Sequence, residues 1–245
     1  MVDCFRHDWR IVAPDWRGHG RSEHAPQGYW LPDYAADLDA LLDQLFPGRP
    51  VPIVGHSLGG NVGCYYAGLR PGRVARLVSL DGFGLPSRDP RDAPLQLRRW
   101  LDSWREAPRP HRIYASVAEM AARLCHANPR LSLDKALFLA SGLSEEAPGG
   151  KGYCWAFDPR HRSPFATLHR HAEWEACMAE IRAPVLFIGS GKPFPPALEN
   201  EPGGLAGRVA CVPGARFERV EGAGHNLHHD EPEAVARMVE DFLLG

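Results

Sequence analysis

Val51-Pro52-Ile53-Val54-Gly55-His56-Ser57-Leu58-Gly59-Gly60-Asn61-Val62-Gly63-Cys64-Tyr65-Tyr66-Ala67 passes from an apolar run, through a serine between glycines, into a run of small and apolar residues. The pattern predicts a strand over 51–54, a sharp turn at Ser57 and a helix over 58–69. A serine hydroxyl is a weak nucleophile until a base takes its proton. A turn of this kind exposes the oxygen, and the small neighbours let strand and helix approach closely. Ser57 is therefore the candidate nucleophile. The rival reading is a serine that caps a helix N-terminus and is followed by packing glycines.

Outward from this stretch, strands and helices alternate. Asp33 to Phe46 places Tyr34, Leu38, Leu41, Leu42 and Leu45 at helical spacing and stops at Pro47-Gly48. Val74 to Leu80 reads as a strand ending at Asp81-Gly82, Pro184 to Gly189 as another, and Arg216 to Val220 as a shorter one. Glu231 to Leu244 reads as a closing amphipathic helix, with Pro232 in its first turn. At the front, Trp9 to Ala13 is expected to be a short buried strand ended by Pro14, and Asp15 to Ser22 a polar, glycine-rich loop. The alternation predicts an α/β fold, with a mostly parallel sheet and helices on both faces.

Residues 85–180 break the rhythm. They hold many prolines and arginines together with Trp100, Trp104, Trp155 and Trp174, and Ala115 to His126 and Leu131 to Leu143 look helical. The expected organisation is a core of 1–84 and 181–245 with a mainly helical insertion over 85–180. Trp100, Trp104, Trp155 and Phe157 are candidates for lining an apolar pocket, although aromatics at helical spacing also serve as core. Asp158-Pro159-Arg160-His161 beside them reads as a turn.

The 245 residues suffice for one substantial α/β domain with an insertion. A net charge of −2, with the arginines spread along the chain, gives no reason to expect nucleic acid or a membrane surface as partner. The cysteines (Cys4, Cys64, Cys125, Cys154, Cys177, Cys211) form no C-x-x-C pair. That fits thiols in a reducing compartment better than a disulfide frame or zinc site. No stretch is apolar enough for long enough to span a bilayer. The N-terminal residues lack the basic start and apolar core of a signal peptide. A cytoplasmic location is the expectation. Oligomeric state has no signature in the sequence.

Four segments together carry a family resemblance: Ala13-Pro14-Asp15-Trp16-Arg17-Gly18-His19-Gly20-Arg21-Ser22, the Ser57 turn, Leu77-Val78-Ser79-Leu80-Asp81-Gly82, and Gly222-Ala223-Gly224-His225. In order and spacing the chain resembles the α/β-hydrolase family over nearly its whole length. It is most similar to small bacterial serine hydrolases of the esterase type. The resemblance implies that 85–180 is a cap inserted after the strand ending near Leu80. It implies that His225, on the loop after the last strand, takes the Ser57 proton and returns it to the leaving group. It also implies that Leu58, following the nucleophile, offers its backbone N–H to the oxyanion, and that no cofactor is needed.

The third member is less direct. The family usually draws its acid from the loop after the strand at 184–189, but Ser190-Gly191-Lys192-Pro193-Phe194-Pro195-Pro196 has no carboxylate. Glu199 and Glu201 lie further on. Some members use the loop after the preceding strand, where Asp81 stands. Asp81 is the leading candidate, Glu199 the alternative, and an Asp-Gly turn the structural rival for Asp81. His228, His229 and Asp230 read as a helix-start cap rather than a metal cluster. His56 is expected to point away from substrate, and His169 and His171 to lie on the surface of the insertion.

The chain departs from the family at its front. The resemblance implies earlier strands and a His-Gly-type loop giving the other oxyanion donor. His19-Gly20 belongs to the next loop, and the chain starts too late for the first. The missing strand would lie between those at Trp9–Ala13 and Val51–Val54, so an N-terminally truncated version of a longer protein is expected, or else direct pairing of those two strands. Met1 to Asp8 resembles the end of a helix. The implied function is hydrolysis of a carboxylic ester or related acyl bond in a small molecule, through an acyl-enzyme. A carbon–carbon bond hydrolase or lactonase on the same residues stays open, as does a non-catalytic binding module that lacks the first oxyanion loop. Haloalkane dehalogenase and epoxide hydrolase chemistry is disfavoured, because those relatives carry aspartate where Ser57 stands.

Overall fold

A computed structural model describes residues 1–25, 27–106, 109–192 and 194–245. Its main elements in chain order are α1 (Leu31–Leu45), β1 (Val51–His56), α2 (Leu58–Leu69), β2 (Val74–Leu80), α3 (Ala93–Arg105), α4 (Val117–Ala127) and α5 (Leu133–Leu143). They continue with β3 (Ser144–Glu146), β4 (Tyr153–Trp155), α6 (His171–Ala179), β5 (Val185–Ser190), α7 (Gly204–Ala210), β6 (Arg216–Val220), α8 (Leu227–Asp230) and α9 (Pro232–Leu244).

The chain forms two compact units. The first takes residues 1–9, 31–90 and 168–245; the second takes 10–30 and 91–167. In the first, a parallel sheet runs in the order β1-β2-β5-β6. Both faces of β2 are covered, as its apolar sequence requires. Leu77 and Ser79 meet α2, where Gly63 and Gly60 leave no room for a Cβ. Val78 and Leu80 join a cluster with Leu186, Ile188, Leu227, Val235, Val239 and Phe242, which seats α9 on the other face. Helix α6 packs on α2 so closely that a Cβ on Gly68 would lie 2.0 Å from the Cys177 carbonyl oxygen. That packing places 168–180 with the sheet rather than with the insertion.

Trp9 to Ala13 is not a strand, which corrects the expectation. Ile11 and Val12 are exposed, and among the described residues β1 pairs only with β2, so the segment has no ladder to join. Apolar residues make a strand only where a neighbouring strand takes up their backbone groups. Nor is Met1 to Asp8 the end of a helix. A short 3-10 turn at Val2–Cys4 leads into extended chain that docks on α9 through one buried carboxylate. Glu240 is fully buried and accepts from the backbone N–H of Arg6 (2.8 Å) and His7 (3.0 Å), the Arg6 guanidinium (3.1 Å), the His7 ring (3.1 Å) and the Trp9 indole (3.0 Å). Burial alone would raise this carboxyl. The donors outweigh it and hold Glu240 well below the usual carboxylate range. The docking therefore stabilises the fold above the ordinary carboxylate value of 4.5 and is lost as pH falls toward the depressed one. Glu240→Ala is expected to lower Tm at pH 7 and to shift Trp9 fluorescence to the red as the indole loses its acceptor; the Tm difference from wild type should shrink in acid.

The second unit has its own core. Tyr114, Met120, Ala121, Leu131, Ala136 and Ala140 are buried between α4 and α5, with Trp155 from the β3–β4 hairpin packed against them. Ser116 and Ser132 cap the two helices, accepting from Glu119 N and Lys135 N. The glycine-rich loop 15–22 belongs to this unit, because it is hydrogen-bonded to 156–158. Gly20 N donates to Ala156 O, Asp158 N to Gly18 O, and the Tyr29 hydroxyl to Asp158 Oδ2 at 2.7 Å. Burial pushes Tyr29 up to about 12, which keeps it a donor. Asp158 also accepts from Arg160 N, so the expected turn is present.

Candidate active site

Strand β1 delivers Ser57 at its end. Ser57 N donates to Leu80 O, and Ser57 O accepts from Asn61 N as α2 begins. The backbone there is strained, with φ 50° and ψ −110° at a non-glycine residue. The turn is possible only without side chains beneath it. A Cβ on Gly55 would lie 2.3 Å from the carbonyl carbon and oxygen of Gly59, and one on Gly60 would lie 2.5 Å from Ser79 Oγ. Gly55→Ala is expected to cost about 1–3 kcal/mol of stability through this overlap, read by urea unfolding.

His225 follows β6. Its loop is closed by Gly191 N donating to Ala223 O and Gly224 N donating to Asp230 Oδ2 at 2.8 Å. Asp230 thus ties down the loop from within α8. His225 Nε2 lies 3.0 Å from Ser57 Oγ, and His225 Nδ1 lies 2.8 Å from Asp81 Oδ2. An ionised carboxylate can only accept, so the Nδ1 atom carries the proton and Nε2 is left to accept from the serine. The ring of Phe194 sits against His225, with centroids 4.1 Å apart.

Asp81 projects from the turn after β2, at φ 50°. It does not merely close an Asp-Gly turn. Its Oδ1 accepts from Ser190 N at 3.0 Å, and Ser190 Oγ lies 3.1–3.2 Å from its two oxygens. Glu199 stands exposed on a 3-10 turn, Pro196–Asn200, and Glu201 pairs with the buried Arg208. Of the loop from Ser190 to Pro196, Pro193 lies outside the described residues.

His56 does turn away from the serine. Its Nε2 donates to the His225 carbonyl at 2.8 Å, which ties the serine turn to the histidine loop. Burial pushes His56 down to about 4 and His228, tilted against it with ring centroids 4.4 Å apart, down to about 2. Both are neutral donors or acceptors at neutral pH. Among the described residues no group of three or more His, Cys, Asp or Glu is placed to hold a metal ion. His169 is not a surface group: it is half-buried, and burial takes it down to about 4.

Ser57, His225 and Asp81 are thus brought together, with the Leu58 N–H in the first turn of α2. The four aromatics predicted for the pocket lie in the second unit and are spread within it. Trp100 and Trp104 pack on each other at 5.7 Å, Trp155 meets Tyr114, and Phe157 meets His19 and His111. The sequence reading gives no role to Ser190, which contacts both oxygens of Asp81 and opens a loop that carries no carboxylate.

Comparison with known proteins identifies the family of the fold. A family model described as the alpha/beta hydrolase fold matches residues 1–232. A serine hydrolase-like protein of Danio rerio is 30% identical over 257 residues, spanning 99% of this chain and 76% of its own. Another serine hydrolase-like protein, from Dictyostelium discoideum, is 25% identical over 96% of this chain and 67% of its own. A solved thioesterase domain from the curacin biosynthetic pathway superposes with a TM-score of 0.78 at 27% identity, covering 93% of this chain and 79% of that one. No helix among the described residues is long and apolar enough to cross a membrane.

Proposed function

The chain belongs to the α/β-hydrolase fold family, and from that premise we propose that it is a serine hydrolase cleaving a carboxylic ester or related acyl bond. The observation that carries this reading is the unbroken path from Ser57 Oγ through both nitrogens of His225 to a buried carboxylate, at 3.0 and 2.8 Å. Ser57 Oγ attacks the acyl carbon while its proton passes to His225 Nε2. Asp81 stabilises the imidazolium, and the Leu58 N–H donates to the oxyanion. The imidazolium then protonates the leaving oxygen as its bond to the acyl carbon breaks. Water resolves the acyl-enzyme, with His225 taking its proton and Ser57 leaving as the hydroxyl. The relatives named as serine hydrolase-like and as a thioesterase support acyl transfer as the reaction class.

A fluorophosphonate probe tests the reading. Attack by Ser57 displaces fluoride, so the intact chain is expected to gain one phosphonyl group, and Ser57→Ala none, with circular dichroism confirming the fold of both. A folded chain without an adduct would turn the assignment toward a binding module.

A further inference from the structure

We propose that Ser190 is a positioning residue of this site, orienting the Asp81 carboxylate and drawing off part of its negative charge through two hydrogen bonds from the end of β5. The inference rests on the serine-hydrolase reading and extends it to a residue outside the Ser57–His225–Asp81 set.

Strands β2 and β5 are parallel neighbours in register from Leu77↔Val185 to Leu80↔Ile188. Their ends therefore emerge side by side, with Asp81 on one and Ser190 on the other. Both residues are buried, Ser190 wholly so. A carboxylate removed from water needs donors for each oxygen. His225 Nδ1 serves Oδ2, while Ser190 N serves Oδ1. The Ser190 hydroxyl lies 3.2 and 3.1 Å from the two oxygens and is the further donor beside them among the described residues. It also lies 2.5 Å from the Lys192 carbonyl, which competes for its single proton; the charge on Asp81 makes the carboxylate the stronger acceptor. A donor on the carboxylate competes with the imidazolium for its charge. Ser190 thereby fixes the rotation of Asp81 and tempers its hold on protonated His225.

Among the described residues, four ionisable groups are placed about His225. Asp81 comes from the end of β2, His56 from β1 and His228 from α8, with the His229 ring tilted against His228 at 4.0 Å. His56 and His228 stay uncharged near neutrality. The charge left on Asp81 is therefore what a change at Ser190 alters, and His225 reports it.

The test follows the His225 ring by NMR across pH in wild type, Ser190→Cys and Ser190→Ala, with the signal assigned by its loss in His225→Gln. The order runs from a good donor, through a weak one, to none. The pH at which His225 takes up its proton is expected to rise along that series, by about half a unit for Ser190→Ala. Phosphonylation of Ser57 is expected to slow about three- to tenfold in Ser190→Ala, with Ser190→Cys between. Coincident titrations in the three folded proteins would overturn the proposal. Loss of fold in both variants would do so too, by assigning Ser190 a structural role only. A wild type whose His225 titrates but whose Ser57 takes no probe would remove the hydrolase reading alone, since the titration series reads the Ser190–Asp81–His225 coupling without catalysis.

Discussion

Ser57→Ala and His225→Ala are each expected to lower kcat for a p-nitrophenyl ester by about 10⁶-fold, and the double variant is expected to fall no lower. Additive effects would require each side chain to act on the transition state independently. The geometry argues otherwise. On the proposed mechanism the Ser57 hydroxyl becomes a nucleophile only as its proton moves to His225 Nε2, 3.0 Å away. Without the imidazole the oxygen keeps its proton; without the oxygen the imidazole has no nucleophile to activate. Either loss removes the whole covalent route and leaves what binding and the Leu58 N–H supply. Rates measured with protein prepared free of host esterases check this. A double variant clearly slower than both single ones would mean that a second route, independent of the Ser57–His225 path, persists in each.

The parts of the fold legible in the sequence were those whose local pattern and tertiary role coincide. Val74 to Leu80 reads as a strand at the bounds the structure gives, because it is a short apolar-rich run ended by turn residues; Arg216 to Val220, with Phe217 and Val220 among charged residues, also keeps its bounds. The Ser57 turn was legible for a steric reason. Only glycine at 55 and 60 lets α2 start against the end of β1, and the pattern of small residues writes that constraint into the chain. Trp9 to Ala13 misled because an apolar run specifies strand only if a partner strand lies beside it, a non-local fact. The loop 15–22 joined the second unit through backbone hydrogen bonds to 156–158, which leave no trace in side-chain periodicity. Glu240 looked like one more acid on an amphipathic helix; its role as anchor for Arg6, His7 and Trp9 depends on residues more than two hundred positions away.

The same distinction bears on the acid of the site. Asp81 and Glu199 were both compatible with the chain order, and the choice turned on how β2, β5 and the His225 loop meet. Asp81→Asn is expected to lower kcat by about 10⁴-fold with little change in KM, whereas Glu199→Gln leaves both unchanged. The asparagine effect follows from the hydrogen bonds around the carboxylate. Oδ1 accepts from the Ser190 backbone N–H, a donor that cannot turn away. An asparagine keeps that bond by placing its oxygen there, and so presents its NH₂ to His225 Nδ1. Two donors cannot face each other, so the ring moves its proton to Nε2 and offers Ser57 a donor where it needs an acceptor. The base is lost although the shape of the site is kept, and kcat falls while substrate binding does not. Glu199 is exposed on its 3-10 turn, where loss of its charge changes little at His225. Steady-state kinetics on the two variants decide between them: a large fall in Glu199→Gln with an active Asp81→Asn would move the acid to the loop after β5.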